Sequence, residues 1–385
     1  MPTRILFLYS DTGGGHRSAA EAIRDAVYAT WPGRADIALA DFYLEAYPPL
    51  LNRTGSLYTP IINHADWIWR TLFTLGDMPG QTDRVWRVFL PTMKGRFIRL
   101  LQKHSPDLVV SVHPLCNRPM VAAARALPRP IPAVTVVTDL VLGSAFWYDR
   151  HVDFIYVPTE TARLRALREG VAPGRVEVVG QPVHPRFQPF LGDRAALRQS
   201  LGLTPDRPAV LIVGGGEGMG KVYETARAIA RSGLPVQLVV VAGRNQRLKA
   251  RLEARRWEVP TIITGFVRNM PDWMAAVDVL VTKAGPGTIS EALIAGLPML
   301  LFGFIPGQEA SNVTWVTEQG VGAAAFTPHA IVTQLREWLA PDSDALAEMR
   351  QRALTLARPN AAHDLGERLL GWAERGLEPA RERTI

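Results

Sequence analysis

Two sets of short apolar, β-branched runs, each interleaved with helix-patterned stretches, constrain this 385-residue chain more than any other feature. The first set includes RILFLY (4–9), DLVVSV (107–112), PAVTVV (132–137), DFIYVP (153–158) and RVEVVG (175–180). The second includes PAVLIVG (208–214), VQLVVVAG (236–243), PTIITG (260–265), DVLVT (278–282) and PMLLFG (298–303). Strands that are apolar throughout, rather than at alternate positions, are buried on both faces, as in parallel sheets covered by helices. Each set predicts one doubly wound α/β domain, and a chain of this length has room for two cores. The expected layout is a Rossmann-like domain over 1–180, a linker over 181–205 stiffened by Pro182, Pro185 and Pro189, and a second Rossmann-like domain over 206–356. Helices over 357–385 are expected to pack back on the first domain.

Each set opens with a glycine-rich strand-to-helix turn, SDTGGGHRSAAEAI after the first strand and VGGGEGMGKV after the sixth. Peptide amides at such turns, reinforced by the helix dipole, attract anions. From Gly215 the second turn reads G-x-x-x-x-G-K, but Val222 stands where a triphosphate-binding loop needs a hydroxyl for magnesium. Either this is a damaged triphosphate loop, or the glycines cradle a phosphate in an enzyme that needs no metal at that position. The single cysteine, Cys116, excludes an internal disulfide and fits a reducing compartment. The apolar stretch Ile5–Tyr9 is too short for a secretion signal, and no run reaches the ~18 apolar residues needed to span a bilayer. The expected location is peripheral, on the cytoplasmic side of a membrane.

The formal charge of +7 is unevenly spread. Residues 50–104 carry eight Lys or Arg (Arg53, Arg70, Arg84, Arg87, Lys94, Arg96, Arg99, Lys103) against Asp66, Asp77 and Asp83, a local excess of 8 − 3 = +5. Tyr58, Trp67, Trp69, Phe73, Trp86, Phe89 and Phe97 lie among them. Aromatic groups beside cations suit an anionic membrane surface rather than nucleic acid. An amphipathic region whose apolar face is simply core fits the same pattern.

The motifs SDTGGGHRSAAEAI, SVHPL, VTDL, GGGEGMG, AGRN, TKAGPGTISEALIAGLP and PGQEASNV together resemble those of the monogalactosyldiacylglycerol synthases and related processive diacylglycerol glycosyltransferases, from about Arg4 to about Gly322. At larger distance they are similar to lipid-linked peptidoglycan glucosaminyltransferases. The resemblance implies an α/β GT-B fold, two Rossmann-like domains facing a cleft, with a UDP-hexose on the second domain and diacylglycerol on the first. It implies an inverting transferase with no cofactor beyond its donor substrate, galactose being the favoured sugar. A diacylglycerol glucosyltransferase and, more remotely, a nucleotide-sugar epimerase are the alternatives.

Residue by residue, the resemblance places His16 as the base beside the acceptor hydroxyl, with Asp11 orienting or replacing it. Gly14, Gly15, Pro48 and Trp147 fall at acceptor or lipid positions, although a core place explains Trp147 equally well. Gly215, Gly216, Glu217, Gly218 and Gly220, with Gly285, Gly287 and Thr288, surround the diphosphate, and Arg244 adds a permanent charge. Glu291 accepts the ribose hydroxyls, although a capping box begun by Thr288 has the same spacing. Backbone at Gly265 and Phe266 reads uracil, Gln308 and Glu309 hold the sugar, and Asn312 supports their loop. The Asp342-Ser343-Asp344 string has the spacing of a metal-binding pair, but its place before a helical pattern is better explained by capping, so no metal is expected. After VTDL the plant enzymes carry a stretch ending Trp-Phe-His; here VLGSAFWYDR puts Asp149 there and removes a potential cation.

Overall fold

The structure is a computed structural model that describes residues 2–11, 14–48, 74, 77–78 and 80–377. The chain forms two compact units, residues 1–185 with 306–308 and 360–385, and residues 186–305 with 309–359.

The first unit begins β1 (Thr3–Tyr9), α1 (Gly15–Thr30), β2 (Ala35–Asp41), α2 (Phe42–Glu45) and α3 (Gln81–His104). It continues β3 (Leu108–Ser111), α4 (Asn117–Ala124), β4 (Ala133–Val136), β5 (Phe154–Val157), α5 (Glu160–Arg168) and β6 (Val176–Val178). All pairings are parallel, in the order β2-β1-β3-β4-β5-β6. β1 shows why the run had to be apolar throughout. Leu6 and Leu8 enter one core layer with Phe97, Met120 and Trp147, while Ile5 and Phe7 enter the opposite layer with Ile23 and Val27.

The second unit runs α6 (Arg194–Ser200), β7 (Ala209–Val213), α7 (Val222–Ala230), β8 (Gln237–Val241), α8 (Gln246–Glu253), β9 (Thr261–Thr264) and α9 (Met270–Ala276). Then follow β10 (Val279–Lys283), α10 (Pro286–Ile294), β11 (Met299–Gly303), α11 (Ala310–Glu318), β12 (Gly322–Ala324), α12 (Pro328–Trp338) and α13 (Ala345–Leu356). Its sheet is also parallel, ordered β12-β11-β10-β7-β8-β9. That is the doubly wound order in which the first and fourth strands of the unit lie side by side.

Two strands, β2 and β12, lie outside the predicted runs. ADIALAD is interrupted by aspartates, and GAA is too short and small to register as a strand. Part of the expected linker is a helix. On α6, Arg194 and Arg198 both pair with Asp278 and donate to carbonyls at the C-terminal end of α9, including Ala275 (3.0 Å) and Ala276 (2.7 Å). The last helix, α14 (Ala361–Arg375), buries Leu365, Leu369 and Leu370 against the α1 layer. Gly366 permits the approach, since a Cβ there would lie 2.7 Å from Val27 Cγ2.

α3 divides the basic segment, over the part that is described, into a core face and an exposed face. Trp86, Met93, Phe97, Leu100 and Leu101 are core, whereas Arg84, Arg87, Val88, Phe89, Lys94 and Arg99 are exposed. Arg53, Tyr58, Asp66, Trp67, Trp69, Arg70 and Phe73 lie outside the described residues.

Candidate active site

In an open parallel sheet, ligands bind beyond the carboxyl ends of the strands, where the strand order reverses direction. In the first unit that point lies between β1 and β3. The turn after β1 delivers His16 on the first turn of α1, the turn after β3 delivers His113, and the turn after β4 delivers Thr138 and Asp139. These four residues converge.

His16 Nδ1 lies 2.9 Å from Thr138 Oγ1, and the ring also hydrogen-bonds the Val112 carbonyl. Its ring stands edge-on to His113 (centroids 4.6 Å apart, 65°) and 5.9 Å from the Trp147 ring. Crowding by these groups strips water from the imidazole and pushes its pKa down to about 4, a shift that the Val112 bond opposes. His16 is therefore neutral at physiological pH and retains an unprotonated nitrogen. His113 is buried, accepts the Leu115 N–H at Nδ1 (3.2 Å) and packs on Phe42 (5.0 Å). Burial, then the nearby His16, hold its pKa well below the usual range.

Two expectations for the first unit, and one made for the donor side, need correction. Asp11 is exposed and pairs with Arg17 (3.5 Å); its backbone N–H donates to Asp41. The orienting contacts of His16 come instead from Thr138 and Val112. Trp147 is fully buried and donates Nε1–H to Asp139 Oδ2 at 2.7 Å, so it forms a wall behind His16 and not an exposed lipid contact. Gln308, read with Glu309 as a sugar contact, groups with the first unit, where its amide donates to Asp139 Oδ1 (3.1 Å). Gly14 caps α1 in a left-handed conformation, and Gly15 is exposed beside it. Pro48 is partly buried just after Tyr47, whose hydroxyl donates to Leu115 O (3.0 Å). Asp149 is spent internally: it pairs with Arg118 and with His151 (2.8 Å), and Arg118 reaches Asp83 at the start of α3 (2.9 Å).

In the second unit the reversal lies between β7 and β10. The 214–220 turn follows β7 and folds on itself, with Met219 N–H donating to Gly214 O (2.8 Å) and Gly218 N–H to Gly215 O (3.1 Å). It also packs tightly on the turn after β8. Arg244 N–H donates to Gly216 O (2.8 Å), and a Cβ at Gly218 would lie 2.3 Å from Ala242 O. Only glycine fits that approach. Beyond the fold of this turn, α7 opens with Lys221 as N-cap and no side-chain cap. α10 likewise opens at Gly285 with no side-chain cap, leaving the Gly287 and Thr288 amides to face a ligand. Because Gly285 is the N-cap, Thr288 is inside the helix, and the capping-box explanation of Glu291 fails. Loss of solvation pushes the Glu291 carboxyl up to about 7, with Arg186 offsetting part of the shift.

Arg244 donates to Glu217 (2.9 Å) and lies 4.6 Å over the Phe266 ring, which is half exposed; Gly265 precedes it at the end of β9. Glu309 is buried, with Oε1 on Lys283 Nζ (2.6 Å) and Oε2 accepting Ile305 N–H (2.9 Å). Asn312 donates to Ala284 O (2.9 Å) and so ties α11 to the turn before α10. Asp344 is the N-cap of α13 but makes no side-chain cap; the Ala345 N–H is met by Ser343 Oγ at 3.4 Å. Sequence reasoning did not single out His113, Thr138, Asp139 or Lys283, although each lies inside a motif it used: SVHPL, VTDL and TKAGPGT.

Comparison with known proteins shows the family and the fold class. Residues 16–183 match the family model described as monogalactosyldiacylglycerol (MGDG) synthase, and 209–365 match the glycosyltransferase family 28 C-terminal domain. The chain is 38% identical to a probable monogalactosyldiacylglycerol synthase of Glycine max, over 95% of this chain and 71% of that protein. It is 37% identical to monogalactosyldiacylglycerol synthase 1 of Arabidopsis thaliana, with the same coverage. Among solved structures it superposes on MurG of Acinetobacter baumannii with a TM-score of 0.61 at 15% identity, covering 96% of this chain and all of that one. A putative UDP-N-acetylglucosamine 2-epimerase from Listeria monocytogenes gives the same TM-score and identity, covering 100% of both chains. Fold likeness at that identity does not separate a transferase from an epimerase; the synthase relatives do. The chain belongs to the monogalactosyldiacylglycerol synthase family, built as a GT-B glycosyltransferase.

Proposed function

We propose that this protein transfers galactose from UDP-galactose to the free hydroxyl of 1,2-diacylglycerol with inversion at the anomeric carbon. The observation that carries the reading is identity of 37–38% to named synthases over 95% of the chain, joined to a neutral imidazole at the first unit's ligand-binding point. His16 takes the acceptor proton as the oxygen attacks. The unprotonated ring is available at any ordinary pH, and its low basicity is offset by attack on a carbon that is losing a stable diphosphate. On the donor side, uncapped amides of α7 and α10 and the Arg244 guanidinium meet the diphosphate. Glu291 accepts the ribose hydroxyls, and the Gly265–Phe266 backbone meets uracil. The chemistry is assigned to these groups with no metal and no cofactor.

The acceptor is dissolved in lipid, so the enzyme must work at a membrane surface. Among the described residues no helix is long and apolar enough to cross one. The exposed face of α3 supports a peripheral seat on an anionic bilayer, with Arg84, Arg87, Lys94 and Arg99 flanking Val88 (68% exposed) and Phe89 (41%). The reading is tested by incubating the purified protein with UDP-galactose or UDP-glucose and vesicles with or without dioleoylglycerol. The expected outcome is UDP release that requires the diacylglycerol, prefers UDP-galactose and yields a β-monogalactosyl lipid by mass and sugar analysis. Release of UDP without acceptor, or no glycolipid, would overturn it.

A further inference from the structure

The donor side contains a cation that the glycine loops alone do not explain. Lys283 is the last residue of β10, the strand that lies beside β7 at the second unit's reversal point. Register pairs Thr282 with Val213, so Lys283 emerges next to the start of the glycine turn. Two measurements locate its side chain. A Cβ at Gly215 would lie 3.3 Å from Lys283 Cε, and one at Gly285 would lie 3.0 Å from Nζ. The ammonium therefore sits between the glycine turn after β7 and the uncapped N-terminus of α10, where both backbone devices for an anion converge. Glycine at 215 and 285 leaves room for it.

Its position is fixed. Glu309, only 3% exposed, accepts from Nζ at 2.6 Å while its other oxygen accepts the Ile305 N–H. That contact uses one of the three ammonium hydrogens. Glu309 is the one ion-pair partner of Lys283 among the described residues, and the lysine side chain keeps 20% exposure, enough for a ligand oxygen to reach it. The other nearby cations are placed less well. Lys221 is exposed at the N-cap of α7, and Arg244 is 58% exposed and shared with Glu217 and the Phe266 ring. A charge–charge contact strengthens as water is excluded, which favours Lys283.

We propose that Lys283 is the leaving-group cation of this enzyme, donating to the diphosphate as it departs, with Glu309 as the positioning residue that aims it. The inference rests on the donor-site reading above. In the step, the bond between the anomeric carbon and the β-phosphate oxygen breaks and its electron pair passes to that oxygen. The acceptor oxygen bonds to the same carbon and its proton goes to His16. The extra negative charge on UDP is met by the Lys283 N–H, which remains protonated.

The test compares UDP with uridine, which shares the base and ribose but has no phosphate, by calorimetric binding to wild type, Lys283→Met and Lys283→Arg, together with kcat. The expected result is that Lys283→Met weakens UDP about tenfold or more, leaves uridine within about twofold, and lowers kcat by about 10²–10³, the scale for losing one charge-stabilising donor. Lys283→Arg should restore part of both losses. Unchanged UDP affinity, or equal weakening of UDP and uridine, would overturn the assignment, because a merely structural ion pair affects both ligands alike. If Lys283→Met fails to fold, Lys283→Met combined with Glu309→Gln, which leaves no unpaired buried carboxylate, is compared with Glu309→Gln alone, and the same UDP-to-uridine ratio decides. Failure of wild type to bind either ligand would instead overturn the donor-site reading.

Discussion

The carboxyl group of Glu291 makes donor affinity depend on pH in a way that can be worked out from the structure. Loss of solvation at its place on α10 raises its pKa to about 7, with Arg186 acting in the opposite sense. A carboxylate that accepts two ribose hydroxyls must be ionised to do so. Binding therefore selects the ionised form and releases a proton when the free protein holds one. For a free-state pKa of about 7 the ionised fraction is roughly one tenth at pH 6, one half at pH 7 and nine tenths at pH 8. Affinity should thus rise about tenfold from pH 6 to pH 8, or about 1.4 kcal/mol. Stability of the ligand-free protein runs in the opposite sense. A raised folded pKa stabilises the fold at low pH, and that contribution is lost as pH rises through about 7. The assay is calorimetric titration with uridine, since UDP carries a phosphate that titrates near pH 6 itself. Glu291→Gln should bind uridine more weakly at pH 8 and show no slope between pH 6 and 8. A flat wild-type profile, or a slope retained in the glutamine variant, would refute the argument.

Other expectations follow from the same geometry. His16→Ala should lower kcat by about 10² or more while leaving UDP affinity within about twofold, and a rate near wild type would remove the base assignment. Because the pKa of His16 is depressed to about 4, the acid limb of kcat/KM should fall near 7 and vanish in Glu291→Gln; a limb near 6.5 that persists there would contradict the crowded histidine. Turnover should survive EDTA, and a strict requirement for added divalent cation would overturn the metal-free reading of the donor loops. Neutralising Arg84, Arg87, Arg96 and Arg99 together should weaken binding to anionic vesicles at least tenfold, given about 1 kcal/mol per surface charge; unchanged sedimentation would show that α3 does not touch the membrane. Gly366→Val should lower the melting temperature through the Val27 clash, by roughly 1–3 kcal/mol, and an unshifted melt would show that α14 does not pack as described.

Buried parallel strands announce themselves when every position must be apolar, and β1, β3, β4, β7, β8 and β10 did so. β2 did not, because at the edge of its sheet Asp36 is exposed and interrupts the apolar run, which Asp41 then ends as the N-cap of α2. β12, three small residues at the other sheet's edge, leaves no periodic trace. The proline-rich stretch misled in a different way. Prolines 182, 185 and 189 do mark irregular chain, but they say nothing of Arg194 and Arg198, whose anchoring to Asp278 depends on a partner some eighty residues away.

The site residues that escaped notice have a common cause. His113, Thr138 and Lys283 lie at or just beyond the carboxyl ends of β3, β4 and β10, and their importance depends on which strand lies next to which. Runs of apolar residues locate strands but do not order them. Once β3 is seen beside β1, the histidine after β3 must stand against the histidine after the first glycine turn, as the 4.6 Å ring separation records. Once β10 is seen beside β7, a lysine ending β10 must enter the second glycine turn. The two units thus use one rule at their respective reversal points, a glycine turn from the unit's first strand and a titratable side chain from its new neighbour. In the first unit burial keeps that neighbour's ring uncharged beside His16, whereas in the second Glu309 anchors the lysine between the glycine turn and the start of α10.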